Sequence, residues 1–181
     1  TGNWGPDMTL LIKAGMDTGL DIRYYTMYAH LGGGATPIGP AGNGKVRSVM
    51  PFHENIAVET GKTDTEGWTR QFRSTHDFDF YAAGFRTIFE FLQAAMNKAG
   101  SADPVKFAAA MEGLTITDML GHQVTMRKAD HQILSEYFVG VFTKGVKYDS
   151  EKTGLGWKTE TTVLPKDLDQ PNTCNMKRPT S

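Results

Sequence analysis

Acid–base or metal chemistry in this chain would fall to its five histidines, His30, His53, His76, His122 and His131. Their spacing supports neither. No His-x-His or His-Glu-x-x-His pair is present to bring two imidazoles onto one metal. No Gly-x-Ser-x-Gly elbow offers a nucleophile, and Gly32-Gly33-Gly34 lacks the Gly-Lys-Ser/Thr ending with which a loop holds phosphate. Asp130-His131 looks like an acid–base pair, but neighbours on a strand point to opposite faces, so the pair reads as part of a turn. The one cysteine, Cys174, rules out a thiolate zinc site and any disulfide within the chain. It is either a free surface thiol or the partner of a cysteine in sequence not present here.

Recognition is what remains. Asn3-Trp4-Gly5 forms a glycine-flanked aromatic loop directly ahead of an apolar-periodic helix, and Tyr28-Ala29-His30 follows an aromatic, β-branched run. If the two loops leave adjacent parallel strands, Trp4, Tyr28 and His30 stand side by side, a wall suited to an apolar or aromatic ligand with a polar head. The competing reading is that Trp4 and Tyr28 cap the core. The helix beginning at Pro6 also offers free N–H groups to an anion, with Asp7 competing for that positive end.

The elements that position these groups read as α/β. Met8, Leu11, Ile12 and Met16 recur at helical spacing over 6–18, with Gly19 as the C-cap. Residues 22–28 and 46–50 have strand composition, and 31–44, carrying three consecutive glycines and two prolines, suits a loop with at most a short helical turn. The stretch 66–100 is helical: an amphipathic piece around Trp68 and Phe72, then an apolar one through Phe85, Ile88, Phe89, Leu92 and Met96, read as a core helix. Asp103-Pro104 caps and opens a helix over 105–111. Residues 124–126 and 137–143 read as strands, with a hairpin return near Gly145, and everything beyond Ser150 as a polar, irregular wrap.

The 181 residues, 39% hydrophobic and 10% aromatic, suffice for one ordinary globular core. A formal charge of −1 without a long basic run disfavours nucleic acid and anionic membranes. No apolar run approaches the roughly 20 residues of a bilayer span, and no charged-then-apolar leader precedes Trp4. The chain therefore reads as soluble, with any signal peptide removed. An opening loop with no strand ahead of it reads as the middle of a domain.

Gly2-Asn3-Trp4-Gly5-Pro6-Asp7-Met8 with Leu10-Leu11-Ile12-Lys13-Ala14, Asp103-Pro104-Val105-Lys106 with Met111-Glu112-Gly113, and Met126-Arg127-Lys128-Ala129-Asp130-His131-Gln132 together carry a resemblance. They resemble the C-terminal half of the periplasmic substrate-binding proteins of branched-chain amino acid type (hydrophobic amino acid/amide) ABC transporters. Lys147-Tyr148-Asp149, Thr153 to Glu160 and Cys174 to Pro179 resemble one bacterial subgroup of that family.

The resemblance implies a type I periplasmic-binding-protein-like fold, with parallel sheets flanked by helices in two lobes that close by hinge motion on a solute, which a membrane permease then takes. It places 1–49 in the second lobe, 50–133 in the first, and 134–181 in a hinge crossing, second-lobe strands and tail, with crossings near Met50-Pro51-Phe52 and 134–137. It puts ligand contact on Asn3, Trp4, Gly5, Tyr28, Ala29 and His30, and implies a periplasmic, non-enzymatic protein without cofactor. In leucine-type binders the second of these loops supplies a carboxylate for the ligand's ammonium group; this sequence has no acid between Tyr24 and Gly44. A buried ammonium without counter-charge costs several kcal/mol, so the missing half supplies the acid or the solute is an amide, an aromatic acid or another carboxylate. The resemblance leaves the first-lobe half of the cleft outside the chain, so the isolated chain is expected to bind weakly or not at all. The strands at 22–28 and 46–50 are expected to have open edges, covered by the N-terminal half or a second copy. Two other classes fit less of the sequence: a ligand-sensing domain of a receptor or regulator, and a small α/β hydrolase-like enzyme with His131 or His30 as base.

Overall fold

The computed structural model describes residues 1–81 and 83–178. In chain order the elements are α1 (Gly5–Asp17), β1 (Tyr24–Thr26), α2 (Ala35–Ile38), β2 (Val46–Met50), α3 (Asn55–Glu59), α4 (Thr63–His76), α5 (Ala83–Ala99), α6 (Pro104–Met111), β3 (Thr115–Thr117), β4 (Gln123–Met126), β5 (Ile133–Leu134), β6 (Tyr137–Thr143), β7 (Gly156–Val163) and α7 (Pro165–Leu168). They gather into two compact units, Thr1–Tyr81 with Tyr137–Val163, and Ala82–Glu136 with Leu164–Ser181.

The first unit carries a four-stranded sheet in the order β1-β2-β6-β7. Only β1 and β2 run parallel; β6 pairs antiparallel with both β2 and β7. The α/β class therefore holds with a mixed sheet. The Val46 strand, expected to have an open edge, is interior, because β6 returns across the sheet to cover it. The Gly145 turn does lead to an antiparallel partner, but β7 lies within the stretch expected to be irregular. Its Thr159, Thr161 and Thr162 are polar yet β-branched, and strand pairing outweighs the polarity. The core beneath the sheet contains Met8, Ile12, Tyr24, Ala29, Ile38, Val46, Met50, Phe142, Leu155 and Trp157.

Local chemistry sets the helix limits. Asp103 caps α6 with its carboxylate on Val105 N–H and Lys106 N–H. The helical stretch 66–100 divides because Asp77 turns left-handed at φ +50°, ending α4. In the second unit α5 sits with the antiparallel sheet β3-β4-β5, where Phe91 joins Val124 and Met126 in the core. The expectation of a core helix is corrected on one side. Phe85, Ile88 and Phe89 lie exposed at i, i+3 and i+4, so α5 buries one face only. The Asp130-His131 pair does sit in the turn between β4 and β5, Asp130 on Arg127 and His131 on Glu112.

One packing contact in the first unit is tight enough to test. Tyr24 lays its ring over Gly15 of α1, where a Cβ would stand 2.1 Å from the phenol oxygen, and that hydroxyl is buried without a hydrogen-bond partner among the described residues. Gly15→Ala should cost about 1–3 kcal/mol by overpacking, although helix propensity alone favours Ala by about 1 kcal/mol. Tyr24→Phe should be neutral or stabilising and should relieve most of the Gly15→Ala penalty. Urea melts of the double-mutant cycle read this directly; additive effects would refute the contact.

Candidate functional site

Both recognition loops belong to the first unit. The backbone nitrogen of Thr1 donates to the Tyr25 carbonyl at 2.8 Å, which sets the opening segment beside β1. Trp4 and Tyr28 each lie three residues beyond that tie. Trp4 is 73% exposed and Tyr28 39%, so neither caps the core. Ala29 does enter the core, and its N–H is taken by Thr26 Oγ1 at 3.2 Å. The Thr26 hydroxyl in turn donates to the Arg47 carbonyl at 3.1 Å, so the base of this loop is stapled across the β1–β2 pair. Asn3 accepts the Thr1 hydroxyl and is exposed; Gly5 starts α1 at φ +56°, a conformation that suits glycine. Trp4 is the N-cap residue of α1 and gives its orphan N–H groups no side-chain acceptor.

His30 is half-buried, and its Nδ1 lies 2.9 Å from the hydroxyl of fully buried Ser48 on β2. Burial lowers its pKa to about 4, so the imidazole is neutral near pH 7. His53, just past β2, is a residue the sequence reading left without a role. It is buried, with Nε2 2.9 Å from Thr159 Oγ1 and Nδ1 without a hydrogen-bond partner among the described residues. Burial first, and then the charge His30 would carry, push its pKa down to about 3. Only three-dimensional pairing reveals this tract, since Ser48 and Thr159 are unremarkable in sequence.

Although the sequence around this loop is free of acid, the fold brings one. Glu151, from the β6–β7 connection, accepts from Gly33 N–H at 2.5 Å and Thr36 N–H at 2.7 Å. Both of its oxygens therefore hold the backbone around α2. Glu151 also lines a cavity of about 250 Å3 with Arg73, Asp77, Phe78, Asp79 and Lys152. The charges there neutralise one another: Lys152 meets Asp77 at 2.6 Å, and Arg73 meets Asp79 at 3.1 Å. Desolvation chiefly, with repulsion from Glu54 and Glu151, raises the Asp79 pKa to about 6. Such a cluster ties segments together rather than presenting a free charge. Among the described residues no group of three or more His, Cys, Asp or Glu is placed to hold a metal, and no helix is long and apolar enough to cross a membrane. Cys174 is exposed and unpaired within the chain.

Residues 1–147 match the family described as periplasmic binding protein. The chain is 25% identical to Leu/Ile/Val-binding protein homolog 4 of Brucella melitensis, over 99% of this chain and 44% of that protein. Its fold matches that of the leucine-, isoleucine-, valine-, threonine- and alanine-binding protein from Brucella ovis in its closed conformation. The TM-score is 0.84 at 21% identity, covering 99% of this chain and 46% of the other. A solute binding protein of an ABC transporter from Rhodopseudomonas palustris, in complex with 3,4-dihydroxy benzoic acid, matches with a TM-score of 0.60 at 15% identity, over 87% of this chain and 42% of that one. The chain thus spans less than half the length of these relatives.

Proposed function

The chain belongs to the periplasmic binding protein family, and on that premise we propose that it is part of the solute-binding component of an ABC importer. It acts in the periplasm, contacts a small amino-acid-like, amide or aromatic carboxylate solute through Asn3–Gly5 and Tyr28–His30, and delivers it to a membrane permease. The observation that carries this reading is the pair of exposed aromatics, Trp4 and Tyr28, on loops tied together by the Thr1–Tyr25 hydrogen bond. Large aromatic side chains left in water suit a binding face better than a core.

The division into second lobe (1–49), first lobe (50–133), and crossing with tail (134–181) belongs to the same proposal. Residues 50–81 pack with 1–49 in one compact unit, so the crossing near Met50-Pro51-Phe52 is the part of this division that a structure of the intact gene product tests first.

Calorimetric titration of the intact gene product with leucine, a leucine amide and 3,4-dihydroxybenzoate tests the binding reading. One of these classes should bind, and Trp4→Ala should weaken that binding about tenfold through loss of an aromatic contact worth about 1.4 kcal/mol. Absence of binding across a broad panel of amino acids, amides and carboxylates would overturn the proposal, as would an unchanged affinity in the Trp4 variant.

A further inference from the structure

We propose that His30 sets solute class at this site by presenting an N–H donor, so that the solute's head group there is a hydrogen-bond acceptor, a carboxylate or amide carbonyl, and not an ammonium. The inference rests on the solute-binding reading and deepens it.

Three observations carry it. The Ser48 hydroxyl is fully buried on β2, and among the described residues its only hydrogen-bond partner is His30 Nδ1, at 2.9 Å. A buried hydroxyl with one partner must give its proton to that partner or leave the proton unsatisfied. Ser48 therefore donates, Nδ1 accepts, and the ring's proton resides on Nε2, the nitrogen not turned toward β2. Second, no acid lies between Tyr24 and Gly44, and the carboxylate that the fold brings nearby, Glu151, is directed onto Gly33 N–H and Thr36 N–H. Third, His30 is half-buried, with its ring held against β2 by the contact with Ser48. The imidazole accordingly stays neutral at neutral pH, in agreement with the effect of burial on its pKa. A neutral Nε2–H donor bonds a carboxylate or carbonyl and has nothing to offer an ammonium. The orphan N–H groups at the start of α1, beyond Trp4, favour the same kind of group.

The experiment has two arms on the intact gene product. Side-chain ¹⁵N NMR of the unliganded protein at pH 7 should show His30 neutral and protonated at Nε2, and Ser48→Ala should shift the tautomer balance toward Nδ1. A protonated ring, or an Nδ1–H tautomer in the wild type, would overturn the inference. Calorimetry should then show 3,4-dihydroxybenzoate or 4-methylpentanamide, which carry an acceptor and no ammonium, bound at least tenfold more tightly than leucine. His30→Ala should lose about 10- to 100-fold, the span of a hydrogen bond to a charged acceptor, and His30→Gln, which keeps an N–H donor, should recover part of that loss. Tighter binding of leucine, or indifference of the preferred solute to His30→Ala, would defeat the inference while leaving the solute-binding reading intact. Failure of every panel member to bind would defeat both.

Discussion

Arg73→Ala should lower the unfolding free energy by about 3–5 kcal/mol, the cost of leaving buried charge without its partner. Arg73 reaches from α4 to Glu54 through Nε at 2.9 Å and a terminal nitrogen at 2.6 Å, and to Asp79 at 3.1 Å. It also donates to the Asp149 carbonyl and lies 5.4 Å from the centre of the Tyr148 ring. Glu54 is 7% exposed and further accepts Phe80 N–H at 2.7 Å. Removing the guanidinium leaves two carboxylates facing each other in a poorly solvated site. Arg73→Lys keeps the charge and loses the two-pronged geometry, so it should fall between wild type and Ala. Adding Glu54→Gln to Arg73→Ala should recover part of the loss, because one of the stranded charges is gone. Denaturant unfolding at pH 7.5 measures all three; a loss below 1 kcal/mol for Arg73→Ala would show that the network is solvated and marginal.

Acid should destabilise the fold well before ordinary carboxylates protonate. His30 and His53 have folded pKa values of about 4 and about 3, below the 6.5 of an exposed histidine. The unfolded chain therefore binds their protons first. Their contribution is complete above about pH 6.5 and falls as the pH drops toward the folded values, by about 1.4 kcal/mol per pH unit for each. Asp79 works against them. Its folded pKa of about 6 lies above the ordinary value, so it takes up a proton in the folded chain first and returns about one proton's worth of stability between pH 6 and 4. The net expectation is a loss of about 1.4 kcal/mol per pH unit over that window. Below about pH 4.5, carboxylates held low by their partners, among them Glu151 and Glu160, add to it. Urea melts at pH 7, 6 and 5 should show the decline, and His53→Gln should flatten it. A stability that is level or rising between pH 7 and 5 would contradict the assignment of two buried neutral imidazoles.

Much of the local architecture was legible from residue order. The apolar spacing of Met8, Leu11 and Ile12 marks α1, Asp103-Pro104 marks the start of α6, and Tyr137 to Thr143 falls on β6 residue for residue. These signals are local, since periodicity and capping act within a few residues. Strand β7 was hidden because its threonines look like surface polarity until β6 supplies hydrogen bonds. The bare face of α5 was hidden because an apolar stripe tells what a helix can bury, not what is there to bury it.

By itself, the sequence determined the two aromatic loops, the lack of a nearby acid in the second of them and the α/β character of the chain, because each depends on residue type and short-range order. Only the tertiary structure decided that Glu151 caps the loop from 115 residues away, that the Ser48 hydroxyl meets His30 Nδ1, and that Glu54 and Arg73 meet. Those pairings arise when strands and helices pack and water is expelled. A side chain's charge and proton position follow from the partners and the burial it finds there, and neither is encoded by its immediate neighbours in the chain.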